Sequence, residues 1–351
     1  MTNSLARRAI VCAGIVSLSV SLVGQPAFAK KDHDSPKGTK THHVDCAKSK
    51  SKSKSSIQKK VDKVKHGSPT TIVIDGTCTE EVTITKDDVT LKGDGTVDGT
   101  ITIIGAQRVI IDGLNVNSVS VLDNARVAFK DATIESDGST AVTAVRSAVV
   151  VMENTTVEAT GDDACAVAIV DGSVLRMNGG NELTNDAPGY NCATLLVYRN
   201  STARIRGSGN TITNKDPVTG DPDSGSAGGF ALDIEVVSSL RIDGTDAATI
   251  NGNVESFNLS TVDLRKVVVN GGVYADGLTT NVRLRGNDDK DVIINGNVFP
   301  GYDSAVSIRN AGEVIINGNI DCTNGENVIQ NFNHFGDSST DGYVKCSFFI
   351  P

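Results

Sequence analysis

Ile250-Asn251-Gly252-Asn253 returns as Ile294-Asn295-Gly296-Asn297 and as Ile316-Asn317-Gly318-Asn319, with a variant at Val269-Asn270-Gly271-Gly272. The Asn that opens each copy stands at 251, 270, 295 and 317, so the steps are 19, 25 and 22 residues. Looser copies precede them at Ile111-Asp112-Gly113-Leu114-Asn115 and Arg206-Gly207-Ser208-Gly209-Asn210. Short runs rich in Val, Ile and Thr, punctuated by Gly, Asp and Asn, read as strands: Thr71–Asp75, Glu81–Thr85, Val89–Lys92, Ile101–Ile104 and Val109–Asp112. A period near 22 in such a chain predicts an all-β solenoid of stacked turns, not a sandwich. Each turn buries its inward Val, Ile and Leu against the turns above and below. Asn and Gly fall where the chain must bend, because both tolerate the left-handed backbone region. Asn side chains on successive turns can also hydrogen-bond along the axis. Residues 67–351 hold about a dozen turns, and at ~4.8 Å per turn the rod is about 55 Å long.

Upstream of the repeat the chain changes character. Arg7 and Arg8 precede an apolar run from Ala9 to Val23, and Ala27-Phe28-Ala29 is a small-x-small cleavage pattern. Residues 1–29 read as a signal peptide cut near Ala29, which places the mature protein outside the cytoplasm, either secreted or periplasmic and cell-surface. No other segment is apolar enough to span a bilayer. Cys12 leaves with the signal, so six cysteines remain, an even set that in an exported protein reads as disulfides. No Cys-x-x-Cys pair occurs and one His lies beyond residue 66, which argues against a Cys/His zinc site.

Charge divides the chain. Residues 30–66 carry twelve Lys against four Asp, whereas the chain from residue 67 onward holds a net −19 out of a total of −9. The Lys/Ser alternation from Lys48 to Ser55 marks 30–55 as a disordered basic tail, either a solvated spacer or an adhesive for anionic cell envelope or polysaccharide. Ser56 is the expected N-cap of a short helix carrying Ile57, Val61 and Val64 on one face. The acidic balance argues against nucleic acid as partner. With 4% aromatic residues and no Trp, a sugar platform of stacked rings is not expected.

The amphipathic helix, then Thr71-Ile72-Val73-Ile74-Asp75-Gly76-Thr77-Cys78-Thr79-Glu80-Glu81-Val82-Thr83-Ile84, then Val89-Thr90-Leu91-Lys92-Gly93, resembles the start of a right-handed parallel β-helix of the pectate-lyase-like superfamily. The resemblance covers residues 56–351 and implies one domain with a helical N-terminal cap and a C-terminal cap. It also implies the pairings Cys165–Cys192 and Cys322–Cys346, each about one turn apart, with Cys46 pinning the tail to the first turn at Cys78. It says little about activity, since this fold carries lyases, hydrolases, adhesins and inert fibres.

A lyase of this kind needs a cationic or calcium clamp on a uronate and a base for the C5 proton; a hydrolase needs paired carboxylates. Thr160-Gly161-Asp162-Asp163-Ala164-Cys165-Ala166-Val167 is similar to the Gly-Asp-Asp-Cys segment of polygalacturonases, with Ala164 interposed and the family's other elements missing. Asp162 and Asp163 are therefore catalytic candidates or a turn-forming pair. Arg204, Arg206, Arg241, Arg265, Arg283 and Arg285 alternate with apolar residues, which puts them outward in one stripe, with Arg176 and Arg309 as extensions. Such a stripe binds carboxylate or sulfate bidentately. Asp233, Glu235, Asp243 and Asp263, expected outward on the same turns, favour a ladder of ion pairs instead. The loop 214–229, with Asp216, Asp221 and Asp223, offers oxygens to calcium or is a plain insertion. Tyr198 and Arg199 are donor and acceptor candidates for a lyase. Phe332, Phe335, Tyr343, Phe348 and Phe349 read as the C-terminal cap. No cofactor is required by any of this. The expected function is a non-catalytic binding or surface protein for anionic polysaccharide or cell envelope; an acidic-polysaccharide lyase or hydrolase is the rival, and a purely structural surface protein the third reading.

Overall fold

In a computed structural model the described residues are 39–46, 56–161, 164–186, 192–215, 230–286, 292–301, 303–310, 314–321, 328–331 and 344–345. The signal peptide, residues 30–38 and 47–55, Cys322, Cys346 and the C-terminal aromatics lie outside them.

Strands of 2 to 13 residues join one continuous sheet in which each described pairing between turns is parallel and in register. On the first face the inward ladder runs His42, Ile72, Leu91, Ile111, Phe129, Met152, Met177, Ile205, Ile242, Leu264, Leu284, Ile308, Asn331. A second face stacks Cys78, Val97, Val116, Ile134 and Val157 and continues to Ile316. A third stacks Val82, Ile101, Val119, Val142 and Val167 and continues to Ile320. Three faces per turn, strand on strand, make a parallel β-helix of about a dozen turns, as the repeat predicts. The rung-to-rung step varies from 18 residues between Ile111 and Phe129 to 37 between Ile205 and Ile242, so the corners absorb the length differences while the ladders stay aligned. The corners bend through left-handed residues, most of them Asn, Asp and Gly, as at Asn124, Asp171 and Gly172.

The repeated tetrad now has a physical account at each position. Its Ile is fully inside: Ile250 and Ile294 are 0% exposed and Ile316 1%. The first Asn builds an axial ladder, in which Asn270 Nδ2 donates to Asn251 Oδ1 at 2.8 Å, Asn295 to Asn270 at 2.8 Å and Asn317 to Asn295 at 2.7 Å. The Gly sits where turns touch backbone to backbone. A Cβ on Gly296 would lie 2.5 Å from the carbonyl of Gly271, and one on Gly318 2.4 Å from the oxygen of Gly296. The last Asn accepts from the next turn, with Gly272 N–H on Asn253 Oδ1 and Asn319 N–H on Asn297 Oδ1, both at 2.8 Å. Gly296→Ala is therefore expected to destabilise by about 1–3 kcal/mol, because the clash is with main chain that cannot swing away. Gly138→Ala, at a site with no atom within 4 Å of the new Cβ, should change stability by less than about 0.5 kcal/mol in the same urea titration.

The N-terminal cap is the helix Ile57–Asp62 with Ser56 as N-cap, burying Ile57 and Val61. Glu80 from the first turn completes it: its carboxylate accepts Ser56 Oγ–H at 2.7 Å and the Ile57 N–H at 2.7 Å. One expectation is corrected here. The tail is not structureless throughout 30–55: Lys40–Asp45 is a strand paired in parallel with Thr70–Asp75, and Val44 is 1% exposed. Pairing satisfies the open backbone groups of the first turn, an edge effect that the polar sequence Lys-Thr-His-His does not advertise. Cys46–Cys78 and Cys165–Cys192 are both disulfides, with Cα atoms 5.3 and 5.1 Å apart. Among the described residues no helix is long and apolar enough to cross a membrane.

Candidate functional site

On the first face, outward positions alternate with the buried ladder and form two axial rows. One row reads Arg176, Arg204, Arg241, Asp263, Arg283, Ser307. In the adjoining row Asn178 stands beside Arg206 and Asp243 beside Arg265. The strand period puts the guanidinium groups there: Leu175, Met177, Ile205, Leu240, Ile242 and Leu264 between them are all in the core.

Two carboxylates organise this surface. Asp243 receives Arg204 through Nη2 at 2.6 Å and Nε at 3.3 Å, Arg241 Nη2 at 3.0 Å, and Arg206 Nε at 3.5 Å. Asp263 receives Arg265 Nη2 at 2.8 Å and Arg285 Nε at 3.2 Å. Arg283 instead donates to Asn281 at 3.3 Å. Burial alone would raise the Asp243 pKa, but the Arg204 hydrogen bond and the charges of Arg204, Arg241 and Arg206 outweigh it and hold the carboxyl below its usual value. This contribution to stability is in place above the unfolded value of about 3.9 and is lost as pH falls through the lowered folded value. Arg265 is pushed up, chiefly by its hydrogen bond to Asp263.

The ion-pair ladder is thus real, yet it leaves the face positive. Seven Arg of the two rows (176, 204, 206, 241, 265, 283 and 285) share two Asp, because Asp233 and Glu235, expected on the same surface, stand on the third face next to Leu232 and Ile234. Arg176, Arg204, Arg206 and Arg241 rim a shallow cavity of about 260 Å³ floored by Thr202, Ala203 and Ser239. The Arg241 Nε is buried and makes no hydrogen bond among the described residues. Half-exposed guanidinium groups around a concavity, outnumbering their carboxylates, can receive a carboxylate or sulfate in a bidentate grip.

The other sequence candidates separate from this site. Tyr198 faces outward on the third face, and Arg199 turns the corner beyond it, its guanidinium 4.8 Å from the Tyr198 ring centre and 3.7 Å from Asp171. Both are engaged in holding the corner. Asp162 and Asp163 lie outside the described residues, as do Asp216, Asp221 and Asp223. Up to Thr160 the second face forms a wider groove of about 510 Å³ with Asp98, Glu135, Asp137 and Glu158 in its lining. Glu135 and Glu158 are register partners, and Lys215 joins Glu158 to Asp186 at 2.9 and 3.1 Å. Those hydrogen bonds, first to Glu158 and then to Asp186, push the Lys215 pKa up. Among the described residues no three His, Cys, Asp or Glu side chains converge to hold a metal ion.

Sequence reasoning overlooked the outward aromatics of the third face, although Val273-Tyr274-Ala275 and Val298-Phe299-Pro300 carry the signal: with the neighbours inward, the ring must point out. Compared with known proteins, the chain matches no family model, no curated protein and no solved structure.

Proposed function

We propose that the protein is exported and acts as a non-catalytic binding protein for an anionic polysaccharide, held along the arginine face of a pectate-lyase-like β-helix. The observation that carries this reading is the cavity rimmed by Arg176, Arg204, Arg206 and Arg241, in which three of the four guanidinium groups share the single carboxylate of Asp243. Neighbouring turns present the arginines at the strand spacing of ~4.8 Å, so a polymer lying along the axis meets a cation at successive turns. The lysines from Lys48 to Lys54 add unspecific attraction to the same ligands.

Isothermal titration of the mature protein with oligogalacturonate and with dextran sulfate tests the reading. Arg204→Ala and Arg241→Ala should each weaken binding about tenfold or more, since hydrogen bonds to charged groups contribute about 1.5–3 kcal/mol. Asp243→Asn should tighten it, because the competing carboxylate is gone. Affinities that ignore all three substitutions would remove the arginine face from the account. Shortened chains with unsaturated ends after incubation would make the protein a lyase.

A further inference from the structure

The chain has few aromatic side chains, yet their distribution is uneven. Of the six described, Phe129 is in the core, whereas Tyr198, Phe230, Phe257, Tyr274 and Phe299 gather on the third face. Tyr274 and Phe299, on consecutive turns, stack with ring centres 5.0 Å apart and planes within 5°. Phe230 meets Tyr274 edge-on at 6.0 Å. In the same outward row, the two turns before Tyr274 carry Glu255 and Asp233. In the row beside it Phe257 lies between Glu235 and Asp276. Neither of these rows, from Leu196 to Phe299 and from Tyr198 to Asp276, holds a Lys or Arg.

This surface has the opposite chemistry to the arginine face. Four carboxylates repel uronates and sulfates, and half-buried rings offer flat apolar area beside hydrogen-bond acceptors. A pyranose ring carrying a protonated amine satisfies both features, since its C–H face packs on an aromatic ring, its ammonium interacts with the π face, and its N–H and O–H groups donate to carboxylate. We propose that the third face between Asp233 and Phe299 binds a glycan of protonated amino sugars. The protein then carries two glycan surfaces of opposite charge preference on adjoining faces of one rod, and this second surface stands independently of the first.

The test uses the full mature chain and a glucosamine hexamer, with the N-acetylglucosamine hexamer as the uncharged counterpart, by isothermal titration at low salt. Tyr274→Ala and Glu255→Gln should each weaken glucosamine-hexamer binding about tenfold, with the thermal melt of the protein unchanged because both side chains point outward. Arg204→Ala should leave it intact. Three results would overturn the proposal: no binding of the glucosamine hexamer, equal binding of the acetylated hexamer, or loss of binding in Glu135→Gln alone, which would place the amine in the acidic groove of the second face.

Discussion

Phe129→Ala is expected to destabilise the protein by about 3–5 kcal/mol, the range for emptying a fully buried aromatic site. Phe129 is among the largest side chains with no exposure, and it stands in the first-face ladder between Ile111 and Met152. The strands on both sides are tied by parallel hydrogen bonds, so neither turn can collapse into the space. Urea unfolding followed by circular dichroism measures the loss, and Lys130→Ala, one residue on and pointing outward, should change it by less than about 0.5 kcal/mol. Because a solenoid couples each turn only to its neighbours, the variant should also broaden the transition as the two halves part. A loss under about 1 kcal/mol would mean that the turns are not close-packed at this rung.

The second large effect is expected from the disulfides. Cys165 and Cys192 close a loop of 27 residues and Cys46 and Cys78 one of 32. In the chain-entropy account each constrains the unfolded chain by about 3.5 kcal/mol. Cys165→Ser with Cys192→Ser should lower the melting temperature of the main transition. Cys46→Ser with Cys78→Ser should chiefly release the strand Lys40–Asp45, seen as faster hydrogen exchange of its amides with the main transition less affected. Equal melting of wild type with and without reductant would show that neither bridge bears on stability.

The fold was legible because its signal repeats. Ile250, Ile294 and Ile316 mark the core and Asn251, Asn270, Asn295 and Asn317 mark the axial ladder, so a single reading is confirmed several times over along the chain. The strand Lys40–Asp45 was not legible, because its pairing depends on a partner 30 residues away and its own residues are mostly polar. The arginine series was readable as outward, since period two fixes the side of each residue. Its carboxylate partners were only half readable: Asp243 shares the face with Arg204, but Asp233 belongs to a different face, and which corner separates them cannot be counted from a chain whose turns range from 18 to 37 residues. The aromatic surface was missed for a related reason, because composition averages over faces and hides a local concentration.

A stack of identical rungs has no internal reason to stop, and its open ends are the places where one rod could continue into another. At the N-terminal end the strand Lys40–Asp45 is the outermost rung among the described residues. Its side toward the rod is committed to Thr70–Asp75 and its free side carries Lys40, Thr41 and His42 in place of an aliphatic run. The lysine-rich stretch from Lys48 to Lys54 leaves from Cys46, which the disulfide anchors at this same end. Like charge meeting like charge disfavours end-to-end docking of two copies. The basic segment thereby limits how long the object can grow, and keeps as a discrete particle a backbone pattern that would otherwise suit a fibre.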